Sequence, residues 1–143
     1  MSINNKATVK KNIILNEIDI QPLINMEIIL NKFFKNVQED EDFTEIEEMG
    51  LVKGFEISYE LTWKTLKKVL EIQGVEALNP REVFRLSAQF GYIEDSQVWF
   101  DFGKERNLTT HVYDENIFHN LINFISKFLN EFRKVIGKLE GLK

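Results

Sequence analysis

The segment Arg106-Asn107-Leu108-Thr109-Thr110-His111-Val112-Tyr113 brings together side chains suited to phosphate-ester chemistry. Arg106 offers a permanent cation whose planar fork can hold a phosphate through paired hydrogen bonds. His111 is one of only two histidines in the chain, and it titrates where a proton can be taken up or released at physiological pH. Asn107, next to the arginine, is a neutral amide that can orient a phosphate or an imidazole. The hydroxyl of Tyr113 can pack and hydrogen-bond at a helix junction, or it can accept a transferred group.

Geometry limits how these groups can meet. On a continuous helix five residues turn a side chain through roughly 500°, so Arg106 and His111 would point about 140° apart. They converge if the helix ends between them, or if a second copy of the chain supplies one of them. Thr109-Thr110, a β-branched pair, and Asp114, a natural helix cap, favour an ending there.

The elements expected to carry this segment are all helical. From about Asp19, with Pro22 in the first turn, Leu23, Met26, Leu30, Phe33 and Val37 recur at spacings of three and four. The acidic run Glu39-Asp40-Glu41-Asp42 breaks that stripe. A long helix is predicted from Thr44, which forms a capping box with Glu47, to Gln73 before Gly74. Asn79-Pro80 opens a third helix that stops at Gly91, and Asp95 or Ser96 opens a short fourth that carries Val98, Trp99 and Phe102 and ends near Leu108. Beyond Asp114, Ile117, Leu121, Phe124, Phe128, Phe132, Val135 and Leu139 hold one face of a last helix, widened by Ile122, Ile125, Leu129 and Ile136. The expected fold class is all-α, an up-and-down bundle of four to five helices with no strands and no repeat. Residues 1–18 are expected to be a flexible N-terminal tail, and 19–143 the single helical domain.

The pattern R-x4-H-x-Y resembles the motif of the HEPN superfamily. The resemblance extends to Phe55-Glu56-Ile57-Ser58-Tyr59-Glu60-Leu61-Thr62-Trp63-Lys64, then Gln73-Gly74, Pro80-Arg81-Glu82-Val83, Gly91-Tyr92-Ile93 and Val98-Trp99, in that order. These segments, covering about Leu51 to Asn130, look most like the branch of nucleotidyltransferase substrate-binding proteins to which HepT-type toxins are related. That resemblance implies a homodimer with two motifs facing one cleft. It also implies a minimal nucleotidyltransferase as partner, and a metal-independent ribonuclease in which Arg106, His111 and Asn107 are catalytic. His111 would take the proton of a ribose 2′-hydroxyl or give one to the leaving oxygen, and Arg106 would neutralise the growing charge on phosphorus. By the same resemblance Tyr113 is the residue to which the partner attaches AMP.

Other features have plainer readings beside the functional ones. Lys104, Lys64 and Arg81, with Lys67, Lys68, Arg85 and Arg106, are the one concentration of positive charge that could guide RNA or a nucleotide. Glu56 and Glu60, four apart, read as a solvated face, with Glu60 forming an ordinary ion pair to Lys64. Tyr59 and Trp63 read as core rather than as a base-stacking platform. Gly50 and Gly54 read as tolerated helical glycines, with a close helix crossing as the alternative. His119 is assigned no role.

Composition narrows the field further. The 143 residues contain no cysteine, which removes disulfides and thiolate sites and suits a reducing, cytoplasmic setting. No His, Asp and Cys constellation reads as a metal site, no cofactor is implied, and no run reaches membrane-spanning length. The net charge of −5 argues against broad duplex binding but leaves room for a small basic cleft. The favoured function is a toxin-like ribonuclease held in check by a nucleotidyltransferase. The alternatives are a noncatalytic nucleotide- or substrate-binding subunit of that enzyme, and a helical dimerisation domain with a vestigial motif.

Overall fold

The computed structural model describes residues 18–39, 44–109 and 115–142, and the elements among them are five helices: α1 (Gln21–Glu39), α2 (Glu45–Ile72), α3 (Pro80–Gln89), α4 (Ser96–Thr109) and α5 (Glu115–Glu140). The all-α class follows from the sequence periodicity. Each boundary that can be inspected has a local cause. Thr44 Oγ1 accepts from the Glu47 amide at 3.2 Å, one half of the expected capping box, and its hydroxyl donates to the Glu47 carboxylate at 3.0 Å. Asn79 Oδ1 accepts from the Glu82 amide at 2.9 Å, with Pro80 at the first helical position. Gly74 and Gly91 follow α2 and α3 at φ +82° and +81°, the left-handed conformation that ends a helix cheaply only for glycine.

The 28-residue α2 is the axis of the bundle and packs against all four other helices. Its buried face carries Leu51, Phe55, Tyr59, Leu66, Val69 and Leu70. Phe55 meets Phe124 and Phe128 of α5 edge-on at 5.1 and 4.9 Å, and Trp99 of α4 stacks on Phe84 of α3 at 5.1 Å. Tyr59 of α2 tilts against Phe84 at 5.7 Å and Trp99 meets Phe128 of α5 at 5.8 Å, so the ring contacts together hold α3 and α4 against α2 and α5 and position α4. Asn120 Nδ2 of α5 donates to Glu105 Oε2 of α4, a second tie at that end.

Three features depart from or refine the sequence reading. Gly54 is a helix-crossing glycine: a Cβ there would stand 2.6 Å from Leu30 Cδ2, and one at Gly50 would stand 3.2 Å from Phe33 Cε1. The close crossing lies between α1 and α2 of the same chain, which overturns the preference for merely tolerated glycines. The apolar face of α5 is buried within the chain, since Leu121, Ile125, Phe128 and Phe132 are all fully inaccessible. The exposed large apolar side chains among the described residues include Ile28 and Ile29 on α1 with Ile46, Met49 and Ile57 on α2. Ile18, at the edge of the expected tail, is 7% exposed and packs in the core. Residues 1–17 and most of the acidic run lie outside the described residues.

Candidate functional site

A groove of about 490 Å³ opens where α2, the start of α3 and the second half of α4 meet. Tyr59 and Glu60 come from α2, Asn79 to Arg81 and Phe84 from the α3 entry, and Phe100, Gly103, Lys104, Arg106 and Asn107 from α4. Three cations, two amides and three aromatic rings thus share one cavity with a single carboxylate. That mixture suits a phosphorylated ligand with a flat or apolar part.

Each cation is held differently. The Arg81 guanidinium lies over the Phe100 ring, 4.2 Å from its centroid. Lys104 is exposed, and no carboxylate of the described residues forms an ion pair with it or with Arg81. The Arg106 side chain is 24% exposed, and its Nε stands 3.0 Å from Glu60 Oε1. That Nε is buried, and its N–H does not align with the carboxylate well enough for a hydrogen bond, so the contact is one of charge. The other carboxylate oxygen of Glu60 accepts from Trp63 Nε1 at 3.0 Å.

Tyr59 closes the floor of the groove. Its hydroxyl lies where a Cβ on Gly103 would come within 2.6 Å, so a glycine at that position of α4 makes the room it needs. Burial pushes its pKa up to about 12, the nearby negative charge of Glu60 adds to the rise, and Arg106 opposes it. The phenol is therefore neutral at any physiological pH and can donate a hydrogen bond.

Of the residues singled out in the sequence, Arg106, Asn107, Lys104 and Arg81 line this groove together. Lys64 is not among its lining residues; its Nζ lies 5.9 Å from the Trp63 ring centroid. Lys67 faces Glu71 and Arg85 faces Glu82, so those charges are satisfied along their own helices. His111 and Tyr113 fall between α4 and α5, outside the described residues. α4 runs at least to Thr109, whose Oγ1 donates to the Arg106 carbonyl at 2.7 Å. His119 is exposed. No cluster of potential metal ligands occurs among the described residues.

One correction concerns Glu60. The expected Lys64 pair is long, 3.9 Å, whereas Arg106 is the near partner at 3.0 Å. Helical spacing shows only neighbours on the same helix, so a partner on another helix stays hidden. Glu56 pairs with Lys53 at 3.6 Å. Tyr59 is 6% exposed and tilts against Phe84 at 5.7 Å, in keeping with the core reading.

Comparison with known proteins adds family context to this geometry. The sequence profile of the family described as nucleotidyltransferase substrate binding protein like matches residues 19–141. A Haemophilus influenzae protein named probable ribonuclease HepT is 30% identical over 95 residues, covering 63% of this chain and 65% of that relative, just under two thirds of its length. A Haemophilus influenzae protein also has a solved structure, described as revealing the fold of a substrate binding domain of a nucleotidyltransferase. It superposes with a TM-score of 0.77 at 22% identity, over 85% of this chain and 99% of that one, a likeness of fold. A Thermus thermophilus protein of known crystal structure superposes with a TM-score of 0.63 at 25% identity, over 77% and 98%.

Proposed function

The chain belongs to the nucleotidyltransferase substrate binding protein-like family, and from that premise we propose that it is a toxin-like, metal-independent ribonuclease controlled by a minimal nucleotidyltransferase. The observation that carries this reading is Arg106. It is partly buried, lines a cation-rich groove with Asn107, and stands five residues before the one histidine of the motif.

The chemistry follows from those groups. The ribose 2′-oxygen attacks the adjacent phosphorus, a P–O bond forms to it, and the bond to the 5′-oxygen breaks, leaving a 2′,3′-cyclic phosphate. His111 removes the 2′-proton or delivers one to the departing 5′-oxygen. Arg106 balances the charge that builds on the nonbridging oxygens, and Asn107 orients the phosphate. Lys104 and Arg81 hold neighbouring parts of the strand. Convergence of Arg106 and His111 is served by a homodimer with a shared cleft.

Control acts at Tyr113. Its hydroxyl oxygen attacks the α-phosphorus of ATP held by the partner, pyrophosphate leaves, and the phenolic proton passes to base. The tyrosyl-AMP places an anionic phosphate beside the cleft cations and blocks RNA. The cysteine-free composition suits a reducing, cytoplasmic setting for this pair. No described helix is long and apolar enough to cross a membrane.

A second reading has its own support, because a groove with one flat aromatic–guanidinium wall also suits a mononucleotide. In that reading the chain is a noncatalytic, nucleotide-binding subunit of the same enzyme. The test is direct. Unmodified protein purified without its partner should cleave tRNA or mRNA without added metal, and mass spectrometry should show adenylate added when the partner, ATP and Mg²⁺ are supplied. RNA left intact, with nucleotide still bound, selects the subunit reading. A Tyr113→Phe variant that takes the label equally well removes Tyr113 as acceptor. Light scattering that gives a monomer mass removes the shared cleft.

A further inference from the structure

The segment Tyr59-Glu60-Leu61-Thr62-Trp63-Lys64 is prominent in the sequence, yet cleavage chemistry assigns it nothing. Trp63 and Lys64 gather around Glu60, which in turn meets one arginine. Glu60 Oε1 is 3.0 Å from Arg106 Nε, and Glu60 Oε2 accepts from Trp63 Nε1–H at 3.0 Å. Lys64 stands on the outer side, 3.9 Å from that same oxygen and 5.9 Å from the indole centroid. Tyr59 packs beneath, with its hydroxyl fitted over Gly103, three residues before Arg106.

We propose that Glu60, itself oriented by Trp63, is the positioning residue for Arg106: it fixes the guanidinium by its Nε side and presents the terminal amino groups to a bound phosphodiester. This rests on the phosphate-ester reading of the groove.

The physical argument has two parts. An arginine side chain has several rotatable bonds, and ordering it at the moment of reaction carries an entropic cost. A carboxylate that is already held by an indole removes that cost in advance. The same carboxylate is a negative charge beside the cation that must attract phosphate, so it weakens ground-state attraction while improving the pose. A substitution that keeps the shape of Glu60 but removes its charge separates these effects. A merely structural role would not separate them, because lost folding lowers binding and turnover together.

The experiment uses the full chain and an uncleavable 2′-O-methyl oligoribonucleotide as probe, with single-turnover cleavage of the unmodified RNA as a second readout. Glu60→Gln should bind the probe about two- to fivefold more tightly, as expected for loss of one partly screened charge contact. It should cleave about tenfold or more slowly, because a misplaced catalytic group is costly. Circular dichroism should be unchanged. Glu60→Asp, which keeps the charge, should return the probe affinity toward that of the wild type. In an Arg106→Ala background, Glu60→Gln should alter neither readout, since Glu60 acts through Arg106. Trp63→Phe should lower cleavage less than Glu60→Gln, and the two together should be no worse than Glu60→Gln alone.

Probe affinity that is unchanged or weaker in Glu60→Gln overturns the proposal, as does an effect that persists without Arg106. If the wild type binds the probe but cleaves nothing, the ribonuclease reading fails while the Arg106-dependent tightening still decides the role of Glu60. If neither protein binds the probe, both readings fall.

Discussion

Two arginine–glutamate pairs in this molecule sit in grooves of similar size and differ in nearly every other respect. Arg133 of α5 donates from Nη1 to Glu27 Oε1 of α1 at 2.8 Å, and its Nη2 reaches Glu140 at 3.4 Å, beside a groove of about 430 Å³. Its side chain is 52% exposed, while that of Glu27 is 11% exposed. It is a clamp: two carboxylates share one cation, and the directed bond ties α1 to α5. Arg106 meets one carboxylate out of line, is itself 24% exposed, and shares its groove with Arg81 and Lys104, which no described carboxylate pairs. The first arrangement satisfies a buried acid. The second keeps positive charge available, an arrangement that stability alone does not call for. An arginine serves architecture when its fork is filled from within, and binding when it is not.

The largest expected effect falls on the groove side. Arg106→Ala and His111→Ala should each reduce RNA cleavage by about two or more orders of magnitude. The double variant should be little worse than either, because both groups act on one transition state. Arg133→Ala should leave cleavage within about twofold, as for a site with no transition-state contact. Equal losses from Arg106→Ala and Arg133→Ala would erase the distinction. Parallel thermal melts separate lost chemistry from lost folding.

The next effect concerns the crossing that seats α1 on α2. Gly54→Val should destabilise the protein by about 1–3 kcal/mol, because Leu30 is fully buried and its methyl group cannot withdraw from a Cβ that would stand 2.6 Å away. Gly50→Ala should cost less, since the Phe33 ring edge at 3.2 Å needs to give only slightly. Urea denaturation reads both. Wild-type stability in Gly54→Val would show that the two helices can slide apart freely.

These cases show what the sequence can and cannot disclose. Helix boundaries are legible because Thr44, Asn79, Gly74 and Gly91 act within a few residues of themselves. Buried stripes are legible because helical period exposes them, as with Leu23 and Leu30, or Phe128 and Phe132. The motif points to Arg106 and Asn107, and Lys104 and Arg81 stand out by charge; all four share the groove. Glu60 escapes the sequence reading because its decisive partner comes from another helix, and periodicity carries no information about that. For Gly54 the crossing is one of two readings, and helical spacing alone cannot choose it because the contacting Leu30 lies on another helix. A signal for Glu60 does exist: it lies inside the segment that resembles the family, beside a tyrosine and three residues before a tryptophan.

A smaller effect tests the clamp itself. Arg133→Ala leaves Glu27 mostly buried with its near cation removed, and should cost about 1–2 kcal/mol. Glu27→Gln, which retains an acceptor for the arginine, should cost less. If Arg133→Ala melts like the wild type, the clamp is only a surface pair.

The smallest effect is silent at neutral pH and belongs to the groove alone. Tyr59 keeps its proton to about pH 12, chiefly because burial disfavours the phenolate, with Glu60 adding and Arg106 opposing. In the unfolded chain a tyrosine releases its proton near pH 10. The unfolded state therefore binds fewer protons between those values, and stability falls as pH rises through them. Below pH 10 this contribution is fully present, so wild type and Tyr59→Phe should differ by a constant amount from pH 6 to 9. Above pH 10 the wild type should lose ground relative to the variant, up to about pH 12. Neighbouring charges make the sharper test. Glu60→Gln should lower the Tyr59 titration, followed by ultraviolet phenolate absorbance, because one of the charges that raised it is gone. Arg106→Ala should raise it, because the opposing cation is gone. Arg133→Ala, whose clamp does not figure among the causes of the shift, should leave it in place. Shifts of the same sign in Glu60→Gln and Arg106→Ala would mean that Tyr59 responds to general loosening of the groove, not to the two charges that meet above it.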